Sequence, residues 1–390
     1  MALTVSGPPG LARPSRGVVR RVDLLAQAAA IAVVLVVLGV ILATTRYNLS
    51  ARGIQLGLDF LVERAGFTVA ETLLPYDPGD SVLRAMWVGV TNSLFVSIVV
   101  GVASTILGVL VGVCRLSPNP MVAGLARVWV EGVRNTPPVL LLIFLYSLWW
   151  QVAPSDHAVA LAPGVLASIR GLAVPKVTTP WSGMDLLLLA VLAGGLAWLV
   201  ARPPRAARAM PRPFLAGAAI AVTALAALML GLDGRAGIIL PRAEGATLAS
   251  GAVLTPELFT ILFGLTLYTT GFIAEVVRGG IEAVPKGQWE AARALGLGEA
   301  SVLRLVVLPQ MLRVVIPPMT SQYVNIVKNS TLALAVGYTD FLTIMGTIIN
   351  KTGHAIEGTV LIVVVYLCIN LTISTALNLY NARIAMRGGR

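Results

Sequence analysis

Eight stretches of this chain are long and apolar enough to be considered as membrane-spanning helices, and they constrain the fold more than any other feature. A spanning helix needs about 20 mostly apolar residues. The candidate stretches are residues 24–43, 87–113, 138–153, 185–201, 213–232, 256–277, 312–327 and 359–380. The third is short and the seventh contains two prolines and several polar side chains, so we expect both to lie in the protein interior or beside a cavity. The sequence therefore predicts an all-α, polytopic membrane protein with about eight transmembrane helices.

Composition and charge support this class. Only 12% of the 390 residues are charged and the mean hydropathy is +0.85, whereas a soluble domain carries about 25% charged residues. Taken alone, the net charge of +11 is also compatible with a protein that binds nucleic acid. When eight spans are drawn from a cytoplasmic N-terminus, however, most lysines and arginines fall in the inside segments, as the positive-inside rule requires. We expect a multi-pass protein with both termini in the cytoplasm, embedded in the lipid bilayer, and no nucleic-acid partner.

Residues that could build a catalytic or metal site are scarce. The chain has two histidines, His157 and His354, and two cysteines, Cys114 and Cys368, and none has the spacing of a metal or redox motif. The chain also has no G-x-x-x-x-G-K-[ST] phosphate loop. We therefore expect no enzyme activity, no catalytic residue, and no cofactor or metal bound by this chain.

The polar stretch 279–310, between the sixth and seventh candidate spans, has the most specific pattern. Residues 290–295 are good helix formers, and Gly296 suits a helix stop with positive φ. A second short helix is predicted from about Glu299 to near Pro309. On the first helix Trp289, Ala292 and Arg293 share one face, at which small residues would let another surface approach. From the residues alone this is either a helix that docks in a groove of another protein or an ordinary amphipathic surface helix.

The stretch resembles the EAA loop of ABC-importer permeases. Glu290-Ala291-Ala292 is followed after three residues by Gly296 and after nine more by Val306-Val307-Leu308-Pro309, with Val306 the only departure from the family pattern. In that family the loop is a coupling helix that sits in a groove of a separate ATPase subunit, which binds ATP and Mg. The resemblance implies that the ATPase-coupling residues here are Trp289, Glu290, Ala291, Ala292, Gly296, Leu297 and Pro309.

Three further segments are similar to the polar, or general L-, amino-acid branch of these permeases. Residues 134–137 resemble its RGTP element, with Asn135 in place of glycine, and residues 267–281 and 328–332 resemble the stretches before and after the coupling loop. The resemblance implies a subunit of an importer for L-amino acids in the bacterial inner membrane. It also implies three partners: an ABC ATPase subunit, a second homologous permease and a periplasmic amino-acid-binding protein.

This resemblance divides the chain into a five-span permease core and three extra helices. The predicted segments are a cytoplasmic N-terminus (1–23), a signal-anchor helix (24–43), a periplasmic linker (44–86), an N-terminal half of the permease core (87–153), an insertion with two extra helices (154–255), a C-terminal half of the permease core with the EAA loop (256–383) and a cytoplasmic tail (384–390).

Polar side chains within the core are candidates for the substrate pathway, because a zwitterion needs both donors and acceptors away from lipid. Pro317 and Pro318 should break the helix that carries several of them. The predicted pathway residues are Arg134, Thr136, Thr269, Glu275, Gln322, Asn325, Asn329 and Ser330. Two of these have simpler alternatives: Glu275 could pair with Arg278 at i+3, and Arg134 could be a topology anchor.

A second functional class stays open on the residues alone, namely an ion-coupled secondary amino-acid transporter. That class is typically built from repeats with a broken helix in each half, whereas this chain has one proline-broken segment and no clear internal repeat. The sequence therefore favours the ATP-driven importer subunit.

Overall fold

The computed structural model describes residues 16–51, 57–178 and 237–387, together with four isolated residues between 192 and 223. The fourth and fifth candidate spans, and with them the predicted extra helices of the insertion, lie outside the described residues. The chain divides into two units, Met1–Phe60 and Leu61–Arg390.

The described part of the first unit consists mainly of one long helix. Helix α1 covers Arg16–Ala51, and its segment Gln27–Thr45 is long and apolar enough to cross a membrane. Side chains such as Ile31, Leu35 and Val36 are exposed. The helix contains the predicted signal anchor and extends beyond it at both ends.

Eight further helices of at least nine residues follow within the described ranges, and prolines begin several of them. Pro120, Pro138 and Pro256 each occupy a first helical position, where a missing N–H costs nothing. The helices are α2 (Val82–Cys114), α3 (Pro120–Asn135), α4 (Pro138–Val152), α5 (Pro256–Glu282), α6 (Lys286–Ala294), α7 (Leu308–Asn329), α8 (Phe341–Thr352) and α9 (Ala355–Arg387). Shorter turns cover Asp59–Val62, Glu299–Ser301, Val302–Val307 (π) and Ser330–Val336 (3₁₀).

Five helical stretches in the described portion of the chain are long and apolar enough to cross a membrane. They are Gln27–Thr45, Val82–Cys114, Pro256–Glu282, Glu299–Val336 and Ala355–Asn378. Helices α3 and α4 meet at an angle of 103° and would form a sixth span as a broken pair. The mostly helical prediction is confirmed, and five or six spans are found among the described residues where eight were predicted for the whole chain.

The prediction of an all-α chain is wrong for the ends of the insertion, which form short antiparallel strands. Glycines with positive φ at positions 164, 171, 245 and 251 make the tight turns that these hairpins need. The strands are β1 (Val159–Ala162), β2 (Val165–Ser168), β3 (Gly171–Val174), β4 (Lys176–Thr178), β5 (Gly237–Ile239), β6 (Arg242–Glu244), β7 (Thr247–Ser250) and β8 (Ala252–Leu254).

Strand pairing joins the two ends of the insertion to each other. Strand β3 pairs with β8 and β4 pairs with β5, both antiparallel, in sheets of order β1-β2-β3-β8, β4-β5 and β6-β7. Strand β8 ends directly before Thr255, the N-cap of α5. The insertion therefore leaves and rejoins the core at one place.

The core lies where α2, α4, α5 and α7 meet. Fully buried side chains from all four helices form one cluster, among them Val96, Leu142, Ile261, Leu265 and Ile326. Helices α2 and α5 also approach closely at two glycines, since a Cβ built on Gly108 would lie 2.5 Å from Cγ2 of Ile273 and one on Gly112 would lie 2.8 Å from the Ala274 carbonyl oxygen. Such small residues at i and i+4 let membrane helices pack backbone to backbone.

Replacing Gly108 by leucine is expected to separate α2 from α5 and to lower the free energy of unfolding by about 1–3 kcal/mol, the usual cost of overpacking. The measurement is the thermal stability of the detergent-extracted protein. Gly124→Leu on α3 is the matched control, because a Cβ there meets no atom within 4 Å. Equal stability of the two variants would contradict the close α2–α5 contact.

Candidate functional site

A cavity of about 160 Å³ lies between α5 and α7 and brings together four of the predicted pathway residues. Thr269 of α5 lines it together with Gln322, Asn325 and Asn329 of α7. The remaining wall consists of Tyr268, Phe272 and Ile326. The cavity thus offers hydroxyl and amide groups, both donors and acceptors, on an aromatic and aliphatic background.

Helix α7 also carries an exposed polar face within the apolar stretch Glu299–Val336. The exposed residues on this face are Pro317, Pro318, Ser321, Asn325 and Lys328. Both prolines lie inside α7, which continues from Leu308 to Asn329, so the predicted break of this helix is wrong. A polar face with a charged group is too costly to present to lipid, so it must face water or another polypeptide.

Two predicted pathway residues have local roles outside the cavity. The Thr136 hydroxyl donates a hydrogen bond of 2.8 Å to the Gly132 carbonyl at the end of α3. The Ser330 hydroxyl is buried and donates to the Val327 carbonyl, also at 2.8 Å. Neither side chain lines the cavity, so the structure separates them from the four residues that do.

Glu275 of α5 lies in a cluster with three arginines. Its carboxylate accepts hydrogen bonds from Arg278, at 2.5 Å, and from Arg115 at the end of α2. Arg134 of α3 lies 3.5 Å from the same carboxylate, and its guanidinium stands 5.4 Å from the centre of the Phe272 ring. The Glu275–Arg278 pair considered from the sequence is confirmed, and Glu275 ties the C-terminal parts of α2, α3 and α5 together.

The predicted coupling-loop residues divide into a buried or partly buried set and an exposed set. Ala292 is buried beside Val302 and Val307, and Trp289 and Leu297 pack against the same cluster. Ala292 therefore packs on the loop itself, and its assignment as an ATPase-coupling residue stays a prediction. Glu290, Ala291 and Gly296 are exposed.

The helix stop at Gly296 is confirmed. Helix α6 ends at Ala294, and Gly296 has a φ of +75°. The Arg293 guanidinium holds the bend by an ion pair of 2.8 Å with Glu299. Leu295, directly before the bend, is 81% exposed. Sequence reasoning missed this apolar side chain, although an exposed leucine at the tip of a loop is a signal for a protein contact.

The predicted end of the second short helix near Pro309 is wrong. A π turn over Val302–Val307 runs straight into α7, and the Leu308 N–H pairs with the Leu303 carbonyl, five residues back. Pro309, which has no N–H to donate, is exposed in the first turn of α7, where no such donor is required. The EAA loop is therefore joined rigidly to the helix that carries the polar face.

A second polar cluster, near the N-terminal ends of α2, α5 and α8, was not predicted from the sequence. The Glu71 carboxylate accepts hydrogen bonds from the hydroxyls of Thr255, at 2.5 Å, and Thr339, at 2.8 Å. The buried Asn92 amide donates to the backbone carbonyls of Glu71 and Thr339, both at 2.8 Å. The segment before α2, predicted as a periplasmic linker, is thus bound near the N-terminal ends of α2, α5 and α8.

Asp340 is fully buried at the start of α8. It accepts hydrogen bonds of 2.8 Å from the N–H and hydroxyl of Thr343 and one of 3.3 Å from the Tyr366 hydroxyl. Burial disfavours the charged form and raises the pKa of Asp340 to about 6. The folded state therefore holds this proton over a pH range in which the unfolded chain has released it.

A pH-dependent stability follows from Asp340. Because the pKa of Asp340 is higher in the folded state, its contribution to the free energy of unfolding is fully present below about pH 4 and is lost as the pH rises through 6. The loss amounts to about 2–3 kcal/mol. We expect Asp340→Asn, which can still cap α8, to remove this contribution to the pH dependence of thermal unfolding between pH 4 and 7. Asp77→Asn, at an exposed position, serves as control. An unchanged pH profile in Asp340→Asn would contradict the assignment.

Comparison with known proteins adds an independent finding. The family described as "Binding-protein-dependent transport system inner membrane component" matches residues 104–386. The general L-amino acid transport system permease protein AapQ of Rhizobium johnstonii is 39% identical over 347 residues, which cover 88% of this chain and 87% of the relative.

Two further relatives align over most of their length. The putative amino-acid ABC transporter permease protein YhdX of Escherichia coli is 39% identical over 368 residues, covering 93% of this chain and 94% of the relative. The glutamate/glutamine/aspartate/asparagine transport system permease protein BztB of Rhodobacter capsulatus is 34% identical and covers 87% and 88%.

Proposed function

The chain belongs to the family of binding-protein-dependent transport system inner membrane components, and from this membership we propose that it is a permease subunit of an ABC importer for L-amino acids. The subunit forms the translocation pathway together with a second, homologous permease. ATP and Mg are bound by a separate ATPase subunit, and a periplasmic amino-acid-binding protein delivers the substrate. The chain itself catalyses no reaction.

The observation that carries this proposal is the polar face of α7. Ser321, Asn325 and Lys328 are exposed on a membrane-spanning stretch and flank the cavity that Gln322 and Asn329 line. Such a face cannot contact lipid. It therefore supports a pathway that runs along α7, with the second permease covering the exposed polar face.

The coupling loop supports the ATPase partner. Helix α6 packs on Val302 and Val307 through Ala292, while Glu290 and Ala291 of α6 and Leu295 directly after it remain exposed. An outward surface with an exposed leucine and a small central residue suits a groove in another protein. Motion of that groove would reach α7 directly through the π turn.

The orientation proposed for the chain is a multi-pass inner-membrane subunit with both termini in the cytoplasm. The pairing of β4 with β5 supports a position of Thr178 and Gly237 on the same side of the membrane, because the two residues are partners in one small sheet. With both on the periplasmic side, the EAA loop lies on the cytoplasmic side, as the lysine and arginine distribution predicts.

The substrate class rests on the relatives and on the cavity. The relatives are named for general L-amino acids and for glutamate, glutamine, aspartate and asparagine. The cavity presents neutral amides and hydroxyls rather than carboxylates. A lining of this kind suits a broad or neutral range of amino acids better than strict selectivity for lysine.

Uptake by a reconstituted system tests the proposal. The chain is co-produced with its proposed ATPase, second permease and binding protein, and uptake of labelled L-amino acids into proteoliposomes is measured with and without internal ATP. ATP-dependent uptake that requires all four components is expected. The purified chain alone should hydrolyse no ATP. Uptake by the chain alone under a proton gradient would instead support the secondary transporter.

A further inference from the structure

Arg134 is the least tightly held of the three arginines around Glu275. Arg115 and Arg278 both donate hydrogen bonds to the Glu275 carboxylate, whereas Arg134 contacts this carboxylate through an ion pair at 3.5 Å. The Arg134 side chain is also the most exposed, at 38% against 9% for Arg115 and 28% for Arg278. One guanidinium of the cluster is therefore available to another anion.

The position of Arg134 links this cluster to the cavity. Its guanidinium lies 5.4 Å from the centre of the Phe272 ring, and Phe272 lines the cavity. Glu275 follows Phe272 by three residues on α5, about 4.5 Å further along the helix, in the direction of the EAA loop. A molecule that left the cavity toward that end would pass Phe272 and meet Arg134.

We propose that Arg134 binds the α-carboxylate of the transported amino acid as it leaves the cavity, in exchange for the ion pair with Glu275. A guanidinium matches a carboxylate in shape and binds it through two parallel hydrogen bonds. This inference rests on the proposed function and adds the group of the substrate that is recognised. Since every amino acid has this carboxylate, the subsite suits a transporter with a broad side-chain range.

The two other arginines make the exchange possible. When Arg134 turns to the substrate, Arg115 and Arg278 still neutralise Glu275, so that no carboxylate is left unpaired within the span. The cation–π contact with Phe272 keeps the Arg134 guanidinium beside the cavity in either state.

Equilibrium binding to the assembled transporter tests the subsite. The complex of this chain with its partner permease and ATPase is placed in lipid nanodiscs without nucleotide or binding protein. Binding of L-glutamine, L-alanine and L-leucine, each beside its α-carboxamide, is measured by saturation-transfer NMR. We expect the amino acids to bind and the carboxamides to bind at least tenfold more weakly. Arg134→Met should weaken amino-acid binding at least tenfold and Arg134→Lys less than that.

Two variants separate substrate binding from a structural role. Arg127→Met is the matched control: Arg127 is exposed on α3, seven residues before Arg134, and we expect binding within twofold of wild type. Glu275→Gln removes the competing carboxylate and should tighten amino-acid binding about threefold. If Arg134 served only to hold Glu275, Glu275→Gln and Arg134→Met would weaken binding alike, and that result would overturn the inference. Size-exclusion chromatography verifies that each variant assembles.

The outcome is distinguishable from failure of the proposed function. Suppose that the complete wild-type system takes up an amino acid with ATP. The proposed subsite is then wrong, and the importer function stands, if Arg134→Met binds that amino acid normally. The same holds if the wild-type complex does not bind the amino acid, or binds it no better than its carboxamide. If no amino acid is taken up by the complete wild-type system, the proposed function itself fails.

Discussion

Gly296→Val is expected to lower ATP-driven uptake at least tenfold while the chain remains in the membrane. Gly296 has a φ of +75°, a conformation that costs a β-branched residue about 1–3 kcal/mol or more. A Cβ at this position meets no atom within 4 Å. The effect therefore comes from the backbone, which must rotate and tilt α6 away from the turn at Glu299.

The measurement compares uptake with ATP hydrolysis in the reconstituted complex. Loss of uptake with residual, uncoupled hydrolysis is the expected pattern, because the changed loop no longer transmits motion to α7. The control is Gly298→Val, two residues away, where φ is −66° and a Cβ also meets no atom. Normal uptake in Gly296→Val would show that the bend is not required for coupling.

Asn325→Leu is expected to reduce uptake at least tenfold without changing assembly. Asn325 is exposed on α7 and lines the cavity with Gln322 and Asn329. Leucine has the same branched arrangement of four side-chain heavy atoms but removes one acceptor and two donors from a site that must replace the water around a zwitterion. ATP hydrolysis by the complex should stay within twofold of wild type, because the coupling loop is unchanged.

Asn350→Leu provides the matched control for this variant. Asn350 is exposed on α8 and does not line the cavity, so we expect uptake near the wild-type rate. If Asn325→Leu also transports normally, the cavity between α5 and α7 is not on the pathway and the proposed route along α7 must be abandoned.

Local rules were sufficient for the features that a few neighbouring residues determine. A glycine after a run of helix formers predicted the bend at Gly296, and the i, i+3 spacing of Glu275 and Arg278 predicted their ion pair. The spacing of Gln322, Asn325 and Asn329 at i, i+3 and i+7 predicted that they share one helix face. The cavity brings all three together.

Features that depend on distant residues could not be predicted in this way. Arg115 reaches Glu275 across 160 positions, and no pattern within either helix indicates the contact. Ala292 looked suited to an outside partner, but the loop folds back so that Val302 and Val307 cover it. Strands β3 and β4 pair with β8 and β5, which lie far along the chain, and no local pattern indicates these pairings.

The strand pairs β3–β8 and β4–β5 form a stem at the base of the insertion. Because of this stem, the length of the insertion does not affect the geometry of the core. Because β3 is hydrogen-bonded to β8, which leads directly into the N-cap of α5, the start of α5 is fixed whatever lies beyond the stem. Closing a longer or shorter stretch on such a stem changes the loop entropy only slowly with length. The insertion is thus an exchangeable module, and the same core could carry it, lose it or replace it during evolution.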